Sequence, residues 1–178
     1  MTPGWRSLPP GLLALALVLA AGGCAPADPL ETRIPADSAI SYAMWESDTL
    51  GRLTPEQMED YRDALQEIRF RAMGLHGASG HEAVEASLRR TIDGMTLRQV
   101  ILQGLGWKVA RLDAQRAELA KSIALNARIR THPEDTASQN YLEEFHDRLV
   151  KQMNETIEAG DRARRRMAAD AGKNREGD

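Results

Sequence analysis

The stretch LRQVILQGLGWKVARLDAQRAELAKSIALNARIR, residues 97–130, decides the fold of this chain. Leu102, Val109, Arg116 and Ile123 recur at one heptad position, and Leu105, Leu112, Leu119 and Asn126 recur at the other. Two such rows make a coiled-coil seam over about four heptads. Arg116 and Asn126 interrupt it, so the seam is partly polar and falls short of an autonomous zipper; polar residues at such positions fix register. The turn residues Thr131 to Asp135 follow, with His132-Pro133-Glu134 at their centre. A second helical stretch then runs from Ala137 to about Asp170, with Leu142, Phe145, Leu149, Met153, Ile157 and Gly160 on its inner side. Each stretch has roughly 34 residues, or about 50 Å at 1.5 Å per residue. Equal lengths and a short turn predict an antiparallel helical hairpin.

Four start signals precede apolar stripes: Thr54 with Gln57, Ser79 with Glu82, Thr96 with Gln99, and Thr136 with Gln139. In each, a hydroxyl can accept from a first-turn N–H while the later side chain reaches back. Pro55 opens the first of these helices, and Met58, Tyr61, Leu65, Ile68 and Ala72 form its stripe. Gly74, Gly77 and Gly80 break the chain. Val84, Leu88 and Ile92 form the next stripe, and Gly94 is placed as a left-handed cap. A shorter helix from Ile40 to about Thr49 is predicted from the spacing of Ile40, Met44 and Trp45. The shorter helices are expected to close against the open end of the hairpin, near Leu97. The fold class is therefore all-α: a small helical bundle, residues 38–170, built on a long coiled-coil-like antiparallel hairpin. Gly172 is expected to end the last helix and leave 171–178 as a frayed tail.

Composition agrees. The 178 residues are poor in aromatics (4%) and hold one cysteine, so no disulfide within the chain can support the fold. About 155 residues follow Gly23, enough for one domain. Those residues lose only the basic Arg6 of the leader and carry a net charge of about −4. That balance argues against nucleic acid as a partner, which calls for a strongly basic face.

The amino-terminal stretch, Met1 to Gly23, has the layout of an export signal: Arg6, an apolar run from Leu12 to Ala21, then small residues. The run has about ten residues against the roughly twenty needed to cross a bilayer. Ala21-Gly22-Gly23-Cys24 then resembles the lipobox of bacterial prolipoproteins, with Ala21 and Gly22 standing where that family prefers Leu and then Ala or Ser. The resemblance implies a diacylglycerol thioether on Cys24, cleavage before it, and acylation of the new amino terminus. Ala25, rather than Asp, follows the cysteine, which by the same resemblance directs a diderm host to use the outer membrane, periplasmic face. The competing reading is signal-peptidase cleavage after Ala25-Pro26-Ala27, releasing a soluble protein from Asp28. Pro26, Pro29 and Pro35 predict an extended tether over 24–37.

Candidate chemistry is sparse. Glu143 and His146 make one Glu-x-x-His step, but diiron bundles use two such steps and further glutamates. His76, His81 and Glu82 flank a Gly-rich loop without a thiol or the phosphate-cradling Gly-Lys-Ser/Thr pattern. No nucleophile motif such as Gly-x-Ser-x-Gly occurs. No cofactor is implied. Gly104 and Gly106 each cost a helix about 1 kcal/mol relative to Ala. With Trp107 they mark either a partner groove, and so an interaction surface, or the close approach of a neighbouring helix. Arg162, Arg164, Arg165 and Arg166 could meet anionic headgroups or peptidoglycan carboxylates, or simply complement the helix dipole. The sequence thus points to a lipid-anchored, non-enzymatic envelope protein with a structural or interaction role. Its partners would be the membrane through Cys24, and another envelope protein or a second copy. A ligand- or metal-binding helical lipoprotein is the alternative, and a hydrolase the third reading.

Overall fold

A computed structural model describes residues 28–75 and 80–173. The leader, Cys24 with residues 25–27, His76 to Ser79, and 174–178 lie outside them. The described residues form five α-helices: α1 (Ala39–Leu50), α2 (Pro55–Leu75), α3 (His81–Ile92), α4 (Leu97–Asn126) and α5 (Thr136–Lys173). A 3-10 turn, Pro29–Glu31, precedes them. The chain is the all-α bundle on a long antiparallel hairpin that the heptads predict.

The hairpin's register is set at both ends. Asn126 donates its side-chain N–H to the Leu142 carbonyl at 3.3 Å. At the opposite end Arg98 donates to the Asp170 carbonyl, also at 3.3 Å. Stepping by heptads between these pairs sets Leu105, Leu112 and Leu119 against Ala163, Thr156 and Leu149, and all six side chains are buried. In the other row Leu102, Val109 and Ile123 are half-buried and Arg116 is exposed.

The first half of α4 is covered more fully. Tyr61, Leu65, Ile68 and Ala72 of α2 are buried, as the stripe predicts, and its Met58 is half-buried. Tyr61, Leu65 and Ile68, with Ala64 beside them, join one core with Leu88, Ile92, Leu97, Val100, Ile101 and Leu105. Burying each such Leu or Ile contributes about 2 kcal/mol. Ion pairs border the contact, with Asp63 on Lys108 at 2.6 Å and Glu67 on Arg111. Beyond Leu112, Asp113, Ala114, Arg116, Ala117, Glu118, Ala120 and Lys121 are exposed, so the far half of the hairpin is a two-helix arm.

Two of the four expected capping pairs form. Thr54 and Gln57 exchange hydrogen bonds at 2.9 and 3.2 Å, and Thr96 and Gln99 at 2.8 and 3.2 Å. Ser79 of the third pair lies outside the described residues; Gly80 stands at the cap of α3, with φ 91° and no side-chain bond. The fourth pair does not form. Asp135, not Thr136, caps α5 by accepting from the Ser138 N–H at 3.0 Å, while Gln139 turns its amide to the His132 and Pro133 carbonyls. Gly94 takes the left-handed conformation expected of it, φ 73°. Gly172 does not end the last helix, which continues to Lys173.

The first helix also faces otherwise than its spacing suggests. Ile40 and Met44 are exposed, whereas Trp45 and Thr49 are buried and Tyr42 packs on the core. The reason is the Tyr42 hydroxyl, 2.6 Å from that of Tyr61, with Trp45 stacked beside it. Burial pushes the Tyr42 phenol up to about 12 and the Tyr61 phenol upward as well, so both stay protonated near neutral pH.

The expected tether needs the largest correction over its described part, which starts at Asp28. From Asp28 to Ala36 the chain is a strap packed across the α3–α4 junction, with Leu30, Ile34 and Ala36 buried. The Ile34 N–H donates to the Met95 carbonyl, the Gly94 N–H to Ile34, and the Leu97 N–H to Thr32. The Ala36 N–H donates to Asp93 at 2.8 Å. Prolines forbid helix there, but apolar side chains at Leu30 and Ile34 give an extended segment a reason to dock. Arg98, only 5% exposed, completes the joint through Asp28 at 2.7 Å and Glu31 at 2.6 Å.

Replacing Arg98 by Met removes these charge-assisted bonds. Asp28 and Glu31 are half-exposed and rehydrate, so the loss is about 2 kcal/mol rather than that of a stranded buried charge. Arg98→Met should lower the melting temperature by about 4–8 °C and expose bonds around Arg33 to trypsin. An unchanged melting point and cleavage pattern would show that the strap holds without the guanidinium.

Candidate functional site

Gly104 sits where α2 crosses α4. A Cβ built on it would meet Ala64 at 2.3 Å from the backbone Cα and 2.4 Å from the Cβ. Ala64 therefore fills the space, and Gly104 is a helix-crossing residue rather than part of an open groove. Gly106 is different: the first atom a Cβ would approach is the Met167 methyl at 3.9 Å. Trp107 is half-buried beneath the Arg71 guanidinium, which lies 4.5 Å from the ring centre. Together with Ile68, Ala72, Ser87 and Thr91 these two residues line a cleft of about 180 Å³. That is below the roughly 300 Å³ at which small-molecule sites begin.

The basic run of α5 serves the fold as well. Arg166 reaches three carboxylates of α2: Glu59 at 2.6 Å, Asp60 at 2.9 Å and Asp63 at 3.4 Å. The Asp60 contact is close enough for ion pairing but is not aligned as a hydrogen bond. Arg164 binds Asp161 at 3.0 Å and Asp113 across the hairpin. Arg162 lies 3.6 Å from Glu158. The sequence reading weighed lipid, peptidoglycan and the helix dipole for these arginines. Arg162, Arg164 and Arg166 pair with acidic side chains, chiefly those of α2 and α5.

A larger cleft of about 570 Å³ opens between α2 and α5, bordered by Glu56, Glu59, Asp60, Arg165, Arg166 and Asp170. Burial raises the Asp60 carboxyl, and Arg166 opposes that rise. The walls of the cleft carry both charged and apolar surface, and Arg166 pairs there with Glu59 and Asp60. Among the described residues no group of three His, Cys, Asp or Glu side chains is placed to hold a metal ion. Glu143 is exposed and His146 half-buried on α5; His81 is exposed at the start of α3.

The far end of the hairpin carries uncovered apolar side chains, as α1 does at Ile40 and Met44. Leu125 is 63% exposed, Ile129 51% and Tyr141 60%. Tyr141 stacks on Phe145, rings parallel within 3° at 6.3 Å, and Arg148 extends over Phe145 at 5.9 Å. The sequence reading passed over Leu125, Ile129 and Tyr141 because they lie off the heptad seam. Their off-seam position is the signal that could have found them.

No protein-family model, curated protein or solved structure matches this chain.

The two glycines separate cleanly in experiment. Gly104→Ala places a methyl against backbone that cannot yield and should cost about 1–3 kcal/mol. Gly106→Ala, meeting nothing closer than 3.9 Å, should gain up to about 1 kcal/mol of helix propensity. Urea unfolding of both variants checks this, and equal effects would refute the assignment of Gly104 to the helix crossing.

Proposed function

We propose that this chain is a lipid-anchored, non-enzymatic protein of the bacterial cell envelope, held to a membrane through Cys24 and presenting its helical arm as an interaction surface. The observation that carries the proposal is the place where the fold begins. Only residues 25–27 separate Cys24 from Asp28, whose carboxylate is already fixed on Arg98. Four extended residue steps span at most about 14 Å. A lipid on Cys24 would therefore keep the base of the bundle, where α4 begins, close to the bilayer. The turn at the other end of α4 is 30 residues away, about 45 Å along the helix.

No described helix is long and apolar enough to cross a membrane, and the anchor in this reading is the lipid on Cys24. One acyl chain holds weakly and two or more hold firmly. The triacylated cysteine implied by the lipobox resemblance meets that requirement. Ala25 favours the outer membrane, periplasmic face, in a diderm host. The interaction role is supported by the apolar side chains exposed on the arm, Leu125, Ile129 and Tyr141.

The full chain and its Cys24→Ser variant, expressed in a diderm bacterium, test the anchor. The expected native product starts at Cys24, carries the mass of its acyl groups and sediments with membranes, and the variant loses both properties. An unmodified soluble product starting at Asp28 from both genes would sink the proposal.

A further inference from the structure

The base of the bundle carries an apolar face of its own. There α2 starts, with Arg166 on Glu59 and Asp60; α3 ends, at Ile92; and α4 starts and α5 ends around Arg98. α1 connects two of these points. Its cap Ser38 stands two residues after Ala36, whose N–H donates to Asp93 at the end of α3. At its other end only residues 51–53 separate Leu50 from Thr54, the cap of α2. Both ends of α1 are therefore held at the base. Tyr42 and Trp45 turn toward Tyr61 of α2. The other side of the helix presents Ile40 and Met44, one turn apart, with Ala43 between them. At 75% and 65% exposure these two are the most open large apolar side chains among the described residues.

We propose that this face of α1 seats in the headgroup–acyl boundary of the bilayer that holds the lipid of Cys24, giving the bundle a second membrane contact. The proposal rests on the Cys24 anchor and adds an orientation to it. Chain length sets the geometry. Residues 25–27 let Asp28 lie no more than about 14 Å from the anchored cysteine. From Asp28 the strap runs across the base, its extended residues 32–36 covering up to about 16 Å, and reaches the cap of α1 two residues later. The lipid and α1 thus stand at opposite ends of the strap, both at the base. An apolar contact of two side chains is too small to hold a free protein on a bilayer. Beside an anchor it forms within a molecule already bound, at the high effective concentration that a short tether gives. The exposed charges nearby, Arg33, Asp37 and Asp48, are of both signs, so the contact is apolar and calls for no anionic lipid. With two contacts the base lies on the bilayer and the arm points away from it, whereas a tether alone leaves the bundle free to tumble.

The full chain carrying Ala43→Cys, or Ala120→Cys on the arm as control, tests this after purification from a diderm bacterium, labelling with a fluorophore and reconstitution into phosphatidylcholine vesicles. Acylation occupies the sulfur of Cys24, so the added cysteine is the one free thiol. The label at Ala43 should be quenched several-fold more strongly than that at Ala120 by nitroxide-bearing lipid, and be shielded from aqueous acrylamide, in low and high salt alike. Adding Ile40→Asp and Met44→Asp should remove both differences. Both side chains are exposed, so the melting curve in detergent should hardly move. An acylated chain whose Ala43 label is as open to acrylamide as the control, or is indifferent to the two aspartates, would overturn the seating and leave the anchor standing. Shielding from acrylamide without quenching by the nitroxide lipid would mean that a second copy covers α1, and would overturn it too. An unacylated product, read from its intact mass, would sink the anchor and the seating together.

Discussion

The buried guanidinium of Arg98 holds together three parts of the chain that no local interaction would join. It lies in the first turn of α4, takes Asp28 and Glu31 from the strap, and donates to the Asp170 carbonyl in the last turn of α5. A charge taken out of water is costly unless its donors are occupied. Here two carboxylates and one of the four last-turn carbonyls that a helix leaves unpaired accept from it. The interaction thereby satisfies a helix end, closes the open end of the hairpin and fixes where the amino-terminal segment runs. Leu30 and Ile34 then find their places in the core, and the base becomes a multi-layered bundle while the arm remains two helices.

This division between base and arm organises the rest. At the base, charged residues that might have served ligands are spent on packing. Arg166 spans three carboxylates of α2, Lys108 and Arg111 bind Asp63 and Glu67, and Gly104 lets α2 approach α4 to van der Waals contact with Ala64. Along the arm no third helix supplies such partners. Side chains off the seam stay uncovered there, which is why the exposed Leu125, Ile129 and Tyr141 collect at that end.

Much of the helical frame was legible because its signals are local. The stripes of Tyr61, Leu65 and Ile68 and of Val84, Leu88 and Ile92 are buried as their spacing predicts, and the row from Leu105 to Asn126 faces α5. Thr54 and Thr96 cap where the sequence places them; Thr136 does not, because Asp135 stands one residue earlier with a stronger acceptor. What the sequence concealed is contact between distant residues. Pro29 and Pro35 mark the strap as non-helical but cannot reveal that Arg98, some seventy positions later, binds it. Ile40 and Met44 share a helical spacing with Trp45, yet only the Tyr42–Tyr61 bond decides which face turns inward. For the site, Gly104 was visible as an anomaly but its neighbour Ala64 was not.

Amide hydrogen exchange on the full chain tests most directly whether the strap belongs to the folded unit. The N–H groups of Ile34 and Leu97, bonded between strap and bundle, should be protected to the same degree as those in the middle of α2. Rapid exchange of Ile34, with α2 still protected, would mean that the segment after Cys24 is a free tether and that Arg98 organises nothing beyond its own helix.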